Sequence, residues 1–311
     1  MAAFRYVFAD VFTDVALAGN QLAVFTDARE IPEDMLQPLA REINFSETVF
    51  VYPPGWPNPA TQQRSRGGTE SQVPTGHDND EETVFVYPAA GDGHARIRIF
   101  TPTLELPFAG HPVLGTAFVL AGPLQLDELW LETGAGVIPV RLERDGSRIV
   151  FGWMRQPVVT AEPYDQADEL LAVLGLEQSG LPVELYRQGP GHVYVELESP
   201  DSVASLQPDL AALLELSPHG TDCFAREGER WKSRVFVPAH GVGEDPATGS
   251  AAGPLALHLA RHGRIDYGDE IEIRQGAELG RPSTLYAVAR SPEEAEVGGS
   301  AVIVARGEFR L

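Results

Sequence analysis

The chain has 311 residues, 43% of them hydrophobic, and a formal net charge of −22 from 45 acidic and 23 basic side chains. Such a field favours solubility and excludes nucleic acid as a partner, because a phosphate backbone is gripped by a basic footprint. No run approaches the ~20 apolar residues of a membrane span, MAAFRYVFADVF lacks the basic-then-apolar pattern of a secretory leader, and Cys223 is the one cysteine. The expectation is a cytoplasmic protein with no internal disulfide and no membrane contact.

In chain order, residues 4–12 and 21–26 are predicted as strands around the turn-like LAGN at 17–20. Residues 33–43 are predicted as a helix, with Met35, Leu36, Leu39, Ala40 and Ile43 on one face and Pro32 where a helix can begin. Thr48–Tyr52 is a β-branched and aromatic strand. Residues 53–82 are rich in Pro, Gly, Ser, Gln and Asp with little to bury, and read as a loop insert. The heptapeptide ETVFVYP flanks it, at 47–53 and again at 82–88, as a local duplication would. Residues 84–87 and 95–100 are predicted to form a hairpin around Gly91-Asp92-Gly93.

Residues 112–121 form an apolar helix with Pro112 in its first turn, closed by Gly122-Pro123. Strands fill 129–153, with turns at 134–136 and 145–146. A second half follows: a helix at 166–174, strands at 183–187 and 192–197, a helix at 208–214 and a strand at 231–237. Another apolar helix spans 250–261, with Gly263 placed as a left-handed cap, before strands at 270–274, 284–289 and 300–309. Each half thus carries one apolar helix introduced by a Gly-rich turn, AGHP at 109–112 and ATGS at 247–250. The predicted class is α/β, or α+β, in two similar lobes: 1–155 with 300–311, and 156–299.

Free N–H groups and the helix dipole make both Gly-rich turns candidate anion sites, and each has a titratable neighbour, His111 or Asp245. The plainer alternative is that the glycines only permit tight strand-to-helix turns. Pro246 biases Asp245 to an extended conformation with its side chain aimed away from the helix, and Ser250 suits an N-cap. His258 and His262 have metal-ligand spacing, but the glutamate of a zinc-protease motif is missing, so a solvated helix face is expected. GAG at 134–136 is too short for a dinucleotide site. Cys223, with no histidine beside it, reads as a small core residue.

NFSETVFV (44–51), RIRIFTPTLELPFAGHPVLGTA (96–117) and GVGEDPATGSAAGPLALHLARHGRI (241–265) resemble the phenazine-biosynthesis isomerase family, PhzF-like, within the diaminopimelate epimerase fold. LYRQGPGHVYVELES (185–199) and QGAELGRPSTLYA (275–287) extend the likeness over nearly the whole chain outside the insert. The resemblance implies two lobes, each a curved sheet or barrel around a central helix, with the active site between them and a homodimeric assembly. It also implies an isomerase that moves a proton and a double bond on trans-2,3-dihydro-3-hydroxyanthranilate, a small cyclic amino-carboxylate, without cofactor or metal. The family's epimerases carry a cysteine at the start of each central helix. Ala109 and Thr248 stand at those positions here, so two-cysteine racemisation is unavailable.

The resemblance assigns acid–base chemistry to Glu47, with His111 and Asp245 orienting the ring. Asn20, Gly110, Gly249 and Ser250 would line or hold the substrate, the last three at its carboxylate. Gln21 departs from the family's usual proline. The duplicated heptapeptide offers Glu82 as a second candidate, but N-x-S-E is complete only at Glu47. Two other readings compete: a PhzF-like isomerase or epimerase of another substrate, and a catalytically silent protein that binds small carboxylates.

Overall fold

The computed structural model describes residues 2–56, 93–188 and 191–311. Most of the insert, the strand expected at 84–87, Glu82 and the turn residues Gly91 and Asp92 lie outside the described residues.

Eighteen strands join in one continuous curved sheet among the described residues. In the first half Asn20–Phe25 runs parallel to Glu47–Tyr52, which is antiparallel to Ala95–Phe100, which is parallel to Glu128–Thr133. In the second half Gly191–Glu196 runs parallel to Gly220–Glu227, which is antiparallel to Arg230–Phe236, which is parallel to Glu270–Gln275. The same order of pairings therefore occurs twice, and the faint repeat of Gly-rich turns in the sequence is the trace of a whole repeated architecture. The halves are seamed where Arg148–Arg155 pairs with Glu294–Gly299.

Each half closes on its own helix. Gly110–Leu124 is buried without interruption from Gly110 to Ala121 and packs against strands of the first half. Gly249–Arg261 is buried from Gly249 to Ala260 and lies on Ser283–Ser291, Glu294–Gly299 and Gly191–Glu196. A helix apolar on all sides has no solvent face to offer, so the sheet must wrap it. Outer helices are one-sided: Glu33–Ile43 buries Leu36, Leu39 and Ala40 under Phe25, Phe50 and Phe100.

Several expectations are corrected. Ala95–Phe100 pairs with the first heptapeptide copy, in a register from Thr48 opposite Phe100 to Tyr52 opposite Arg96, while the hairpin expected with 84–87 falls outside the described residues. The aromatic stack of Phe50 on Phe25, with Phe100 edge-on, holds this copy in place. Gly122-Pro123 does not close the first central helix, which continues to Leu124 and ends at a left-handed Gln125. A proline in the last turn forfeits one backbone bond without breaking the turns before it. Strand Gly220–Glu227 and helix Pro200–Ser205 lack an apolar alternation in sequence, yet Cys223 and Asp222 are both buried, Asp222 accepting the Ser233 hydroxyl at 2.6 Å. Cys223 is a core residue, as its sequence neighbours suggest.

His258 and His262 are not a solvated face. His258 is fully buried, and both rings meet Glu184 on the strand Glu184–Arg187, at 3.3 Å and 3.0 Å, with the Tyr186 hydroxyl donating to the same oxygen at 2.9 Å. Burial raises the Glu184 carboxyl, but donors from His258, His262 and Tyr186 together bring it down to about 2 from 4.5. A folded-state value below the unfolded one means stability present above pH 4.5 and lost as pH falls towards 2. Glu184→Gln is expected to cost about 2 kcal/mol at pH 7, and urea midpoints measured from pH 7 down to pH 3 should show that gap narrowing.

Candidate active site

The two central helices meet end to end. A Cβ built on Gly110 would fall 2.5 Å from the carbonyl carbon of Gly249 and 2.7 Å from the Ser250 nitrogen. Built on Gly249, it would fall 3.1 Å from the Gly110 Cα and 2.9 Å from the Phe12 ring. Neither N-cap residue, Ala109 or Thr248, spends its side chain on capping, and Ser250 sits inside the first turn rather than at the cap expected of it. Among the described residues, the backbone N–H groups of Gly110, Gly249 and Ser250 have no acceptor. Two positive helix ends therefore converge on one point with donors to spare, which is an anion cradle.

Asn20 ties the elements around that point. Its Oδ1 accepts the Ser46 hydroxyl at 2.6 Å, which turns the amide nitrogen to donate to Asp245 Oδ1 at 2.9 Å and to the Ala247 carbonyl at 2.9 Å, with His111 Nδ1 3.1 Å away. Asp245 is extended, but its side chain reaches the helix instead of pointing away: Oδ2 accepts the Thr248 hydroxyl at 2.7 Å. Gln275, the first residue of QGAELGRPSTLYA and not singled out as a site residue, donates to the Asp245 carbonyl and the Thr248 hydroxyl and accepts the Thr248 N–H.

Glu47 arrives from the other side. The helix Glu33–Ile43 ends at a left-handed Asn44, Phe45 packs edge-on against Phe8, and Ser46-Glu47 then enters the strand beside Leu22. Glu47 Oε2 lies 3.3 Å from His111 Nε2, and neither atom has a hydrogen-bond partner although both are buried. Of the two ring nitrogens of His111, Nδ1 meets the Asn20 amide and Nε2 faces Glu47. Burial holds His111 down at about 3, so it is neutral at physiological pH. Burial raises the Glu47 carboxyl well above 4.5, with the negative charge of Asp245 adding to it. Burial raises Asp245 as well, but less, because Thr248 and Asn20 donate to its carboxylate. A carboxyl held above its ordinary range by burial, beside a second carboxyl that ionises more readily, is the arrangement general acid–base chemistry requires.

All seven residues singled out in the sequence, Asn20, Glu47, Gly110, His111, Asp245, Gly249 and Ser250, gather here. Glu47, Asp245 and Ser250 line a cavity of about 370 Å³ including its mouth, together with Thr101, Leu106, His192 and His240. The two histidines were not selected from sequence, although LYRQGPGHVYVELES contains His192. The strand registers explain the asymmetry of the two walls. Leu22 opposite Glu47 begins the parallel pair of the first half and His192 opposite Gly220 that of the second, while Thr48 and Thr221 follow opposite Phe100 and Phe236. Gly220 is thus the counterpart of Glu47, and Ser250 that of His111.

The doubled, helix-centred sheet with its cleft between paired helix ends is the diaminopimelate epimerase-like α+β fold. Within that class, the sequence pattern described as phenazine biosynthesis-like protein (PhzC-PhzF) matches residues 9–66 and 76–307, and the chain belongs to that family. Trans-2,3-dihydro-3-hydroxyanthranilate isomerase of Pseudomonas aeruginosa is 45% identical over 99% of both chains, and that of Pseudomonas fluorescens 44% over the same share. The structure of a predicted epimerase from Pseudomonas aeruginosa superposes with a TM-score of 0.76 at 26% identity, covering 98% of this chain and 99% of the other.

Two outcomes follow from this geometry. Gly110→Ala must force the helix ends apart; overpacking of this kind costs about 1–3 kcal/mol, to be read from denaturant midpoints. For Glu47, a folded-state value raised above the unfolded 4.5 means a stability contribution complete below that pH and lost as pH rises. Gln stays neutral throughout. Glu47→Gln should therefore match the wild type in thermal stability near pH 4 and gain on it steadily towards pH 8.

Proposed function

We propose that the protein is an isomerase of trans-2,3-dihydro-3-hydroxyanthranilate in phenazine biosynthesis, with Glu47 as the acid–base. The identity to enzymes bearing that name supports the substrate. The observation that carries the chemistry is the Glu47 carboxyl, buried, raised by its surroundings and lacking any hydrogen-bond partner on the oxygen that faces the cavity wall at His111.

Glu47 as carboxylate takes the proton from ring C3, the conjugated electrons shift, and Glu47 returns a proton at C1. One C–H bond breaks and one forms, and the double bonds move with no net oxidation. The chemistry therefore asks for no redox cofactor. The product enol tautomerises to a reactive ketone. Neutral His111 stands beside the acid–base and orients the ring, Asp245 offers a carboxylate to the substrate amine or hydroxyl, and the N–H groups of Gly110, Gly249 and Ser250 receive the carboxylate. Ala109 and Thr248 leave no thiol at either helix end, which separates this chemistry from two-cysteine epimerisation. The net charge of −22 repels an anion at long range, so capture depends on these local donors.

The test is to incubate the purified protein with the dihydro-hydroxyanthranilate and follow loss of its chromophore. Glu47→Gln should lower kcat by roughly 10²-fold or more, with binding of anthranilate, an aromatic analogue of the substrate, kept within a few-fold. Glu82→Gln should leave turnover unchanged, because the first heptapeptide copy occupies the strand beside Ala95–Phe100. Turnover that survives Glu47→Gln and disappears in Glu82→Gln would overturn the assignment. A second outcome concerns the partners: His111→Ala and Asp245→Asn should each lose at least roughly tenfold in kcat/KM while remaining folded by circular dichroism. Near-normal turnover in either variant removes that residue from the site.

A further inference from the structure

On the second wall of the cavity, His192 Nε2 lies 3.1 Å from the Ser250 hydroxyl oxygen, and no other side chain or carbonyl among the described residues bonds that hydroxyl. The contact can be made in two ways with opposite consequences. If Nε2 accepts, the serine proton points at the histidine and an oxygen lone pair faces the cavity, repelling an anion. If Nε2–H donates, the serine oxygen is satisfied from behind and its own proton is free to turn into the cavity.

Gly220 decides between them. His192 is buried, its Nδ1 has no hydrogen-bond partner among the described residues, and a Cβ on Gly220 would lie 2.4 Å from that nitrogen. One Gly220 Cα–H bond is therefore directed towards Nδ1. A proton on Nδ1 would collide with it and would also be a buried donor with nothing to bond, whereas a bare lone pair accepts the weakly polar C–H. Burial, helped by His240 and His219, keeps the ring neutral by lowering it to about 3, so one proton is present and it resides on Nε2.

We propose that His192 is a positioning residue: held in one tautomer by Gly220, it donates Nε2–H to Ser250 Oγ and thereby aims the Ser250 hydroxyl proton at a carboxylate seated on the paired helix ends. The inference rests on the proposed reading that the cavity takes a carboxylate, and adds how the second half reads that group. It also explains why the position matching Glu47 is a glycine. The ring of His192 occupies the space in which a side chain there would stand.

The experiment is calorimetric titration with anthranilate and with its neutral analogue anthranilamide, so that turnover is not needed. His192→Phe should weaken anthranilate by roughly 10- to 100-fold, as expected for a lost hydrogen bond to a charged group, and leave anthranilamide within about threefold. His192→Gln, whose amide nitrogen replaces Nε2–H, should recover most of the loss. In a Ser250→Ala background the same His192→Phe change should add less than about threefold. Equal loss for both ligands, no rescue by Gln, or an undiminished effect in Ser250→Ala would overturn the proposal while the carboxylate reading stands. Should Phe fail to fold, the Gln and Ser250→Ala arms still decide: Gln weakening anthranilate as strongly as Ser250→Ala does would overturn it. A wild type that binds neither ligand would overturn both.

Discussion

Gly110 and Gly249 touch with nothing but backbone between them, and most of the molecule can be understood as what is needed to hold that contact. Two helix N-termini carry like partial charges and would separate if free. They are kept together because each helix is apolar on all sides and is sealed inside its own half of the sheet, and because the halves are seamed strand to strand at Arg148–Arg155 and Glu294–Gly299. Side chains reinforce the seam close to the site: Gln156 donates to the Gly249 carbonyl, and Arg281 reaches back to the Ala18 and Gly19 carbonyls and to Asp10. The unfavourable approach of the helix ends is thereby converted into affinity for an anion, which relieves it.

The same convergence sets the protonation states around it. Asp245 is buried, but with donors from Thr248 and Asn20 it keeps its charge more easily than Glu47, whose carboxyl is dominated by burial and by the negative charge of Asp245. Two carboxyl groups in one cleft are thus driven apart in acidity by how many hydrogen bonds each receives. The neutral histidines complete the division. His111 stands between the Asn20 amide and Glu47, and the Gly220 Cα–H sets the tautomer proposed for His192.

Much of this was legible in the sequence because it is written locally. The central helices show as apolar runs after Gly-rich turns, and Glu47 is distinguished from Glu82 by the helix and the Asn44-Phe45-Ser46 that precede it. What escaped is written across long separations. His258 reads as solvent-facing until Glu184, 74 residues away, is set against it. The strand around Cys223 hides because Asp222 interrupts its apolar pattern, and that aspartate is tolerable only once Ser233 is opposite. Either heptapeptide copy could neighbour Ala95–Phe100, because the two have equal strand propensity, and the aromatic core under Phe50 is what seats the first copy there. Gln275 and His192 act through groups that sequence cannot place near them.

The replacement of one wall's carboxylate by Gly220 has a stereochemical meaning. A racemase built on a doubled fold places a proton-transfer group in each half, so a substrate held between them can lose hydrogen to one face and gain it from the other. With Glu47 on one wall and a glycine filled by an imidazole ring at the matching place, the cleft is handed. Under the acid–base scheme proposed for Glu47, hydrogen leaves and re-enters on the same face of the ring, a suprafacial transfer. Sheltered from bulk water, the hydrogen delivered at C1 can then be the one removed from C3. The symmetry of the fold survives in its strands and helices, and the reaction's sense of direction comes from the one position at which the two halves no longer match.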